Sequence, residues 1–162
     1  MSTPPRTAAL RSLGQSLWLD TITRALLDSG TMQRYITELG LSGLTSNPTI
    51  FEHALKGSAD YDHDIRACAS QGLAPEALFF ELALADLGRA ADLLRAQHER
   101  THGVDGWVSL EVSPLLADDA PATLAAARAL HARARRPNLF IKIPGTAAGL
   151  EAIERIVERL GN

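Results

Sequence analysis

The sequence predicts an α/β fold of the (β/α)-barrel class built on four parallel strands. Three observations carry that expectation. Four short strand-like segments, SLWLD (16–20), SGLTSN (42–47), GWVSLEV (106–112) and NLFIKI (138–143), each run into helical sequence. Such alternation argues for parallel pairing through crossovers. Within the first, third and fourth strands one face is aliphatic: Leu17 and Leu19; Val108, Leu110 and Val112; Leu139, Ile141 and Ile143. The opposite face is mixed, holding Ser16, Trp18 and Asp20; Trp107, Ser109 and Glu111; Asn138, Phe140 and Lys142. Its ionisable residue falls at or near each strand's C-terminal end. A doubly wound sheet buries both faces more evenly. A barrel lumen accepts the mixed face and builds its active site at the C-terminal rim.

Each element has its own signal. After the first strand, TITRALLDSGTMQRYITELG reads as two short helices ended by Gly40. Asn47 before Pro48 opens PTIFEHALKG, and asparagine followed by proline at the first helical position brackets a helix start. Two helices, Ser58–Ala69 and Pro75–His102, are expected between strands two and three, with Gly103 as the stop of the second. This connection is longer than a plain crossover needs. A helix over Pro121–Arg136 follows strand three, and Thr146 caps a last helix running to Leu160. No repeat and no linker-like stretch is visible, so residues 1–162 read as a single domain.

Composition narrows the function. A net charge of −3 and a pI near 5.9 leave no basic stripe for nucleic acid. HARARRP (131–137) is the one basic cluster and reads as a solvated helix end. One cysteine, Cys68, excludes an internal disulfide, fits a reducing compartment and reads as a small core residue. The N-terminus lacks the apolar core of a signal peptide and no run is long enough to span a membrane, so the chain reads as cytoplasmic. Asn47-Pro48-Thr49 is no glycosylation acceptor, since proline fills the middle position.

Sixteen basic residues include only two lysines, Lys56 and Lys142, and Lys142 lies between Ile141 and Ile143. Lysine can lose its proton when buried and act as a nucleophile; arginine cannot. The barrel reading brings Asp20, Asn47, Glu111 and Lys142 to one rim. A desolvated lysine beside carboxylates suits Schiff-base chemistry, with Glu111 and Asp20 handling protons and Asn47 holding substrate hydroxyls. Each residue also has a plainer role. Lys142 could reach solvent at a strand end. Asp20 could be the N-cap of a helix starting near Thr21, Asn47 the cap before Pro48, and Glu111 one half of a structural pair with Lys142.

Other motifs carry less. HERTH (98–102) matches the two-histidine zinc pattern, yet Gly103 follows at once and no third ligand is evident. Tyr61, Asp62, His63 and Asp64 read as a solvated helix face. Gly145 and Gly149 lack the spacing and the lysine of a phosphate loop.

GLTSNPTIF (43–51), NLFIKIPGT (138–146), SLWLD and WVSLEVSP together resemble the transaldolase family in its longer bacterial form, from about Gln15 to the end of the chain. The resemblance implies that Lys142 forms an imine with a ketose phosphate. Asp20 would take the proton of the C4 hydroxyl, Glu111 would act as acid–base through a water, and Asn47 and Thr45 would position substrate. The reaction implied moves a dihydroxyacetone unit from sedoheptulose 7-phosphate to glyceraldehyde 3-phosphate in the pentose phosphate route, with no metal or organic cofactor. The family fold has eight strands. The four strands here would form its N-terminal half, ending at Gly161–Asn162 where a fifth is expected. The family's threonine–water partner and its phosphate-holding serine and arginine would lie on further strands. Open strand edges would then invite pairing with another chain, or leave a catalytically silent half-barrel serving as an assembly module.

Overall fold

The computed structural model describes residues 6–160. A short helix α1 (Arg6–Ser12), which the sequence reading did not anticipate, precedes strand β1 (Leu17–Leu19). Helices α2 (Arg24–Asp28) and α3 (Thr31–Arg34), the latter continued by a π turn over Tyr35–Leu39, lead to β2 (Leu41–Thr45). Then come α4 (Pro48–Gly57), a 3-10 turn (Ala59–Tyr61), α5 (Asp62–Ser70) and the long α6 (Pro75–Arg100). Strand β3 (Trp107–Glu111), a 3-10 turn (Pro114–Leu116), α7 (Ala120–Ala134), β4 (Leu139–Lys142) and α8 (Ala147–Leu160) complete the described chain. No helix among the described residues is long and apolar enough to cross a membrane.

All four strands pair in parallel in the order β1-β2-β3-β4. Consecutive order has no switch point, so successive helices fall on the same side of the sheet. The burial pattern agrees. Leu44, Val108, Leu110, Val112 and Leu139 are each at most 3% exposed and pack with Leu82, Leu87, Leu94 and Leu130 of α6 and α7. The other face stays open: Trp18 is 40% and Phe140 44% exposed. A sheet covered on one side, with a mixed open face, is a partial α/β barrel.

Turn chemistry fixes the element boundaries. Asn47 caps α4 by accepting from the Ile50 N–H at 2.9 Å, ahead of Pro48. Gly40 closes the π turn in the left-handed region. Thr146 accepts from the Gly149 N–H at 3.0 Å at the start of α8. Where the ends differ from expectation, local geometry explains it. Asp20 does not cap the first helix; Thr23 does, accepting from the Leu26 N–H at 3.1 Å, so α2 starts three residues later than Thr21. The segment 58–69 is not one helix, because Ser58 caps a 3-10 turn before α5 begins. Helix α6 stops at Arg100, and α7 ends at Ala134, where Arg135 turns left-handed.

Three side-chain expectations need correction. Asn138 does not face the lumen. It is fully buried and donates to the Ala91 and Gly106 carbonyls, clamping the start of β4 to α6 and to the entry of β3. Tyr61 is not on a solvated face but fully buried, and Asp64 pairs with Arg24, whereas His63 is exposed. Cys68 is half-buried on α5, a helix with no buried residue, rather than in the core. The basic cluster is solvated as expected, with Arg133 paired to Glu81 and Arg136 to Asp92.

Gly106 admits the chain into β3. Its φ is +85°, and a Cβ there would lie 2.4 Å from the His98 backbone nitrogen. Gly106→Ala should therefore cost about 2–4 kcal/mol, combining the left-handed penalty with overpacking against backbone that cannot yield. Urea unfolding of the variant checks this, and a loss under 1 kcal/mol would show that the junction is looser than described.

Candidate active site

The open face carries the site in layers, because parallel strands in fixed register bring every second residue to the same side. Near the N-terminal ends Trp18 lies over Gly43, and the Trp107 and Phe140 rings stack with centroids 3.8 Å apart and planes 10° from parallel. His98 meets the edge of Trp107 at 4.5 Å, and the Trp107 Nε1–H donates to the Gly103 carbonyl at 2.7 Å. Above this aromatic layer Thr45 pairs with Ser109 across β2 and β3, and the Ser109 hydroxyl donates to Thr45 Oγ1 at 2.8 Å.

The charged layer sits at the C-terminal rim. Glu111 is directly opposite Lys142 in the β3–β4 register. Lys142 Nζ lies 2.9 Å from Glu111 Oε2 and donates to the Ser46 carbonyl at 3.3 Å. Ser46 is held in turn: it is buried, and its hydroxyl donates to the Ser109 carbonyl at 3.2 Å. The junction of β2 and α4 thus aims one carbonyl at the lysine while Asn47, next in sequence, caps the helix. Glu111, Ser46, Asn47 and Pro48 also border a small crevice closed by Phe51 and Phe79. Asp20 follows the last residue of β1 and is exposed, with no hydrogen bond or ion pair among the described contacts.

Lys142, Glu111, Asn47 and Thr45 are therefore brought to neighbouring strands, with Asp20 at the same end of the sheet. One premise fails. Lys142 is not desolvated here: its side chain is 41% exposed and that of Glu111 21%, because the open face leaves both reachable by water. The lysine's partners are the Glu111 carboxylate and the Ser46 carbonyl. The Ser46 carbonyl was invisible in the sequence, since a backbone acceptor has no residue signature. Ser109 was visible only through its period of two with Glu111.

The zinc alternative finds no support. His98 is committed to Trp107 and to the Asp105 carbonyl at 3.2 Å. His102 lies beyond the end of α6 with φ of +52°. Among the described residues no cluster of three or more histidine, cysteine or acidic side chains is placed to hold a metal.

A second set of ionisable groups lies behind the open face. Asp86 of α6 is fully buried. Arg24 donates to its Oδ1 through Nε at 3.2 Å and Nη2 at 3.1 Å, and the Tyr61 hydroxyl donates to Oδ2 at 2.9 Å. The Arg24 guanidinium also covers the Tyr61 ring at 4.5 Å and pairs with Asp64. Burial, reinforced by the Asp86 carboxylate, raises the Tyr61 pKa, so the hydroxyl remains a donor.

Residues 17–159 match the Transaldolase/Fructose-6-phosphate aldolase family. The chain is 43% identical over 148 residues to Transaldolase 2 of Nostoc punctiforme, covering 91% of this chain and 39% of that protein. It is 44% identical to the Transaldolase of Neisseria gonorrhoeae, covering 91% and 42% respectively. Against the Transaldolase of Saccharopolyspora erythraea it is 43% identical over 157 residues, covering 97% and 42%. The chain spans about two-fifths of the length of these curated relatives. With a family match running from β1 into α8, this chain belongs to the transaldolase/fructose-6-phosphate aldolase family.

Proposed function

We propose that the chain carries the imine-forming half of a transaldolase site, which transfers a dihydroxyacetone unit between sugar phosphates through Lys142. The observation that carries this reading is the Lys142–Glu111 pair, 2.9 Å apart on adjacent strands at the C-terminal rim. Glu111 takes a proton from the lysine, directly or through a water, and the neutral amine attacks the ketone of a ketose phosphate. Glu111 returns the proton as water leaves, giving a protonated imine. Asp20 then accepts the C4 hydroxyl proton while the C3–C4 bond breaks, and its electron pair moves into the imine as an enamine. The aldose phosphate departs; the enamine attacks a second aldehyde, and hydrolysis frees Lys142. Asn47 and Thr45 hold substrate hydroxyls, although the Asn47 carbonyl oxygen is already taken by the Ile50 N–H, so its amide nitrogen is the group left to donate. A sugar-phosphate exchange of this kind belongs to the pentose phosphate route in the cytoplasm.

A second reading rests on the far edge of the sheet. A groove of about 580 Å³ runs along β4, bordered by Trp107, Leu139, Phe140, Ile141 and Ile156. Leu150 and Val157 of α8, the helix that contributes Ile156 to the groove, are 59% and 61% exposed. An apolar strand edge under an uncovered helix stripe suits pairing with another chain, including a second copy. Sedimentation of the purified chain across a concentration series should show association; a single monomeric species at every concentration would remove this reading.

Borohydride trapping with fructose 6-phosphate, followed by intact mass and peptide mapping, tests the first reading. Only Lys142, Lys56 and the N-terminus offer amines. The expected adduct maps to Lys142 and is absent from Lys142→Arg; folded protein without an adduct overturns the reading. In Glu111→Gln, which keeps the shape and loses the proton acceptor, the trapping rate should fall by about 10²-fold or more. An unchanged rate would remove Glu111 from the mechanism.

A further inference from the structure

The buried group behind the sheet sits where the two substrate-facing junctions meet. The Arg24 N–H is one of the orphan donors at the start of α2, and it donates to the Tyr61 hydroxyl at 2.8 Å. Tyr61 passes the connection to Asp86 on α6 at 2.9 Å. The same tyrosine ring meets Phe51 of α4 edge-on, with centroids 5.9 Å apart, and Phe51 meets Phe79 of α6 in the same manner at 5.4 Å. One side chain therefore supports both α2, which continues from Asp20, and α4, which Asn47 caps. Ile22, between Asp20 and Arg24, is fully buried and ties the short link to the core.

Three features show that this is more than generic packing. Asp86 is a carboxylate taken wholly out of water, which is tolerated only when its oxygens are paired. Its two partners, Arg24 of α2 and Tyr61 of the 3-10 turn, come from elements other than α6, so neither can shift against α6 without unpairing a buried charge. The tyrosine hydroxyl makes both of its bonds in opposite senses, accepting from the α2 backbone and donating to α6. Removing that oxygen alone would leave a backbone donor and a carboxylate oxygen each short of a partner.

We propose that Tyr61, clamped between Asp86 and Arg24, is a positioning residue that sets the Asp20 segment at the same C-terminal end of the sheet as Lys142. The inference rests on the imine reading above. Tyr61 touches no reacting atom; it acts through the α2 N-terminus. Proton removal from the C4 hydroxyl is the step that needs Asp20, whereas imine formation needs Lys142 and Glu111. Loss of the tyrosine oxygen should accordingly slow cleavage and spare imine formation.

The test compares the chain with Tyr61→Phe, which keeps the ring against Phe51 and beneath Arg24. Amide hydrogen exchange is followed in peptides 18–27, 47–57 and 138–146. Borohydride trapping with fructose 6-phosphate is run beside glyceraldehyde 3-phosphate release. Exchange in 18–27 should rise roughly tenfold, the size of one lost hydrogen bond, and exchange in 138–146 should not change. Trapping on Lys142 should persist while aldehyde released per imine formed falls about tenfold. Unaltered exchange in 18–27 overturns the inference, as does faster exchange with aldehyde release per imine retained. A rise in all three peptides, with trapping and release falling together, also overturns it, because that is general loosening. Should Tyr61→Phe not fold, Arg24→Lys keeps the charge facing Asp86 while losing the fork, and the same two readouts apply. If the unaltered chain forms no imine, the proposed function falls, and the exchange pattern alone decides whether Tyr61 holds the segment.

Discussion

Everything at the rim depends on a parallel sheet that is covered by helices on one side only. Strand order without a reversal puts the apolar residues of one parity into a common core with α6 and α7 and leaves the other parity open. Register then becomes strict. Val108 opposite Leu139 keeps two aliphatic side chains in the core, and the same alignment places Glu111 opposite Lys142. A slip of one residue would turn Lys142 into the helix layer and expose Ile141 in its place. The Lys142–Glu111 pairing is thus a by-product of core packing: the hydrophobic alignment that stabilises β3 against β4 also determines which carboxylate the lysine meets.

Polar groups inside this frame hold the elements whose backbone the sheet cannot reach. Asn138 spans from β4 to the Ala91 carbonyl of α6, and Ser46 crosses from the β2 end to the Ser109 carbonyl. Asp86 gathers Arg24 and Tyr61. A buried polar atom without a partner costs on the order of 1–3 kcal/mol, so each of these contacts penalises rearrangement more than it adds to net stability. Such contacts surround the strand-to-helix junctions at Asp20 and Ser46–Asn47. The aromatic stack of Trp107 on Phe140 lies on the open face, towards the N-terminal ends of the strands from the charged pair.

The sequence by itself determined the strands, their parallel sense and the parity of each face, because hydrophobic alternation and turn residues are local signals. Glycine and proline marked the ends of the helices to within a few residues. It also singled out Lys142, Glu111, Asp20 and Asn47, since rare lysine and polar residues at strand ends stand out against an aliphatic background. Thr45 came only with the family resemblance. Only the tertiary structure decided that Thr23 rather than Asp20 caps α2, because competing caps two or three residues apart are equivalent until the chain direction is known. Tyr61 read as a surface residue among Asp62, His63 and Asp64, and its burial follows from a partner on α6 that lies 25 residues away. Asn138 has a strand-face parity that its buried bonds override. The exposure of Lys142 was likewise beyond local reading, for it depends on whether anything covers the lumen face. Local pattern fixes which way a side chain points from its own strand; what it meets there is decided by elements distant in sequence.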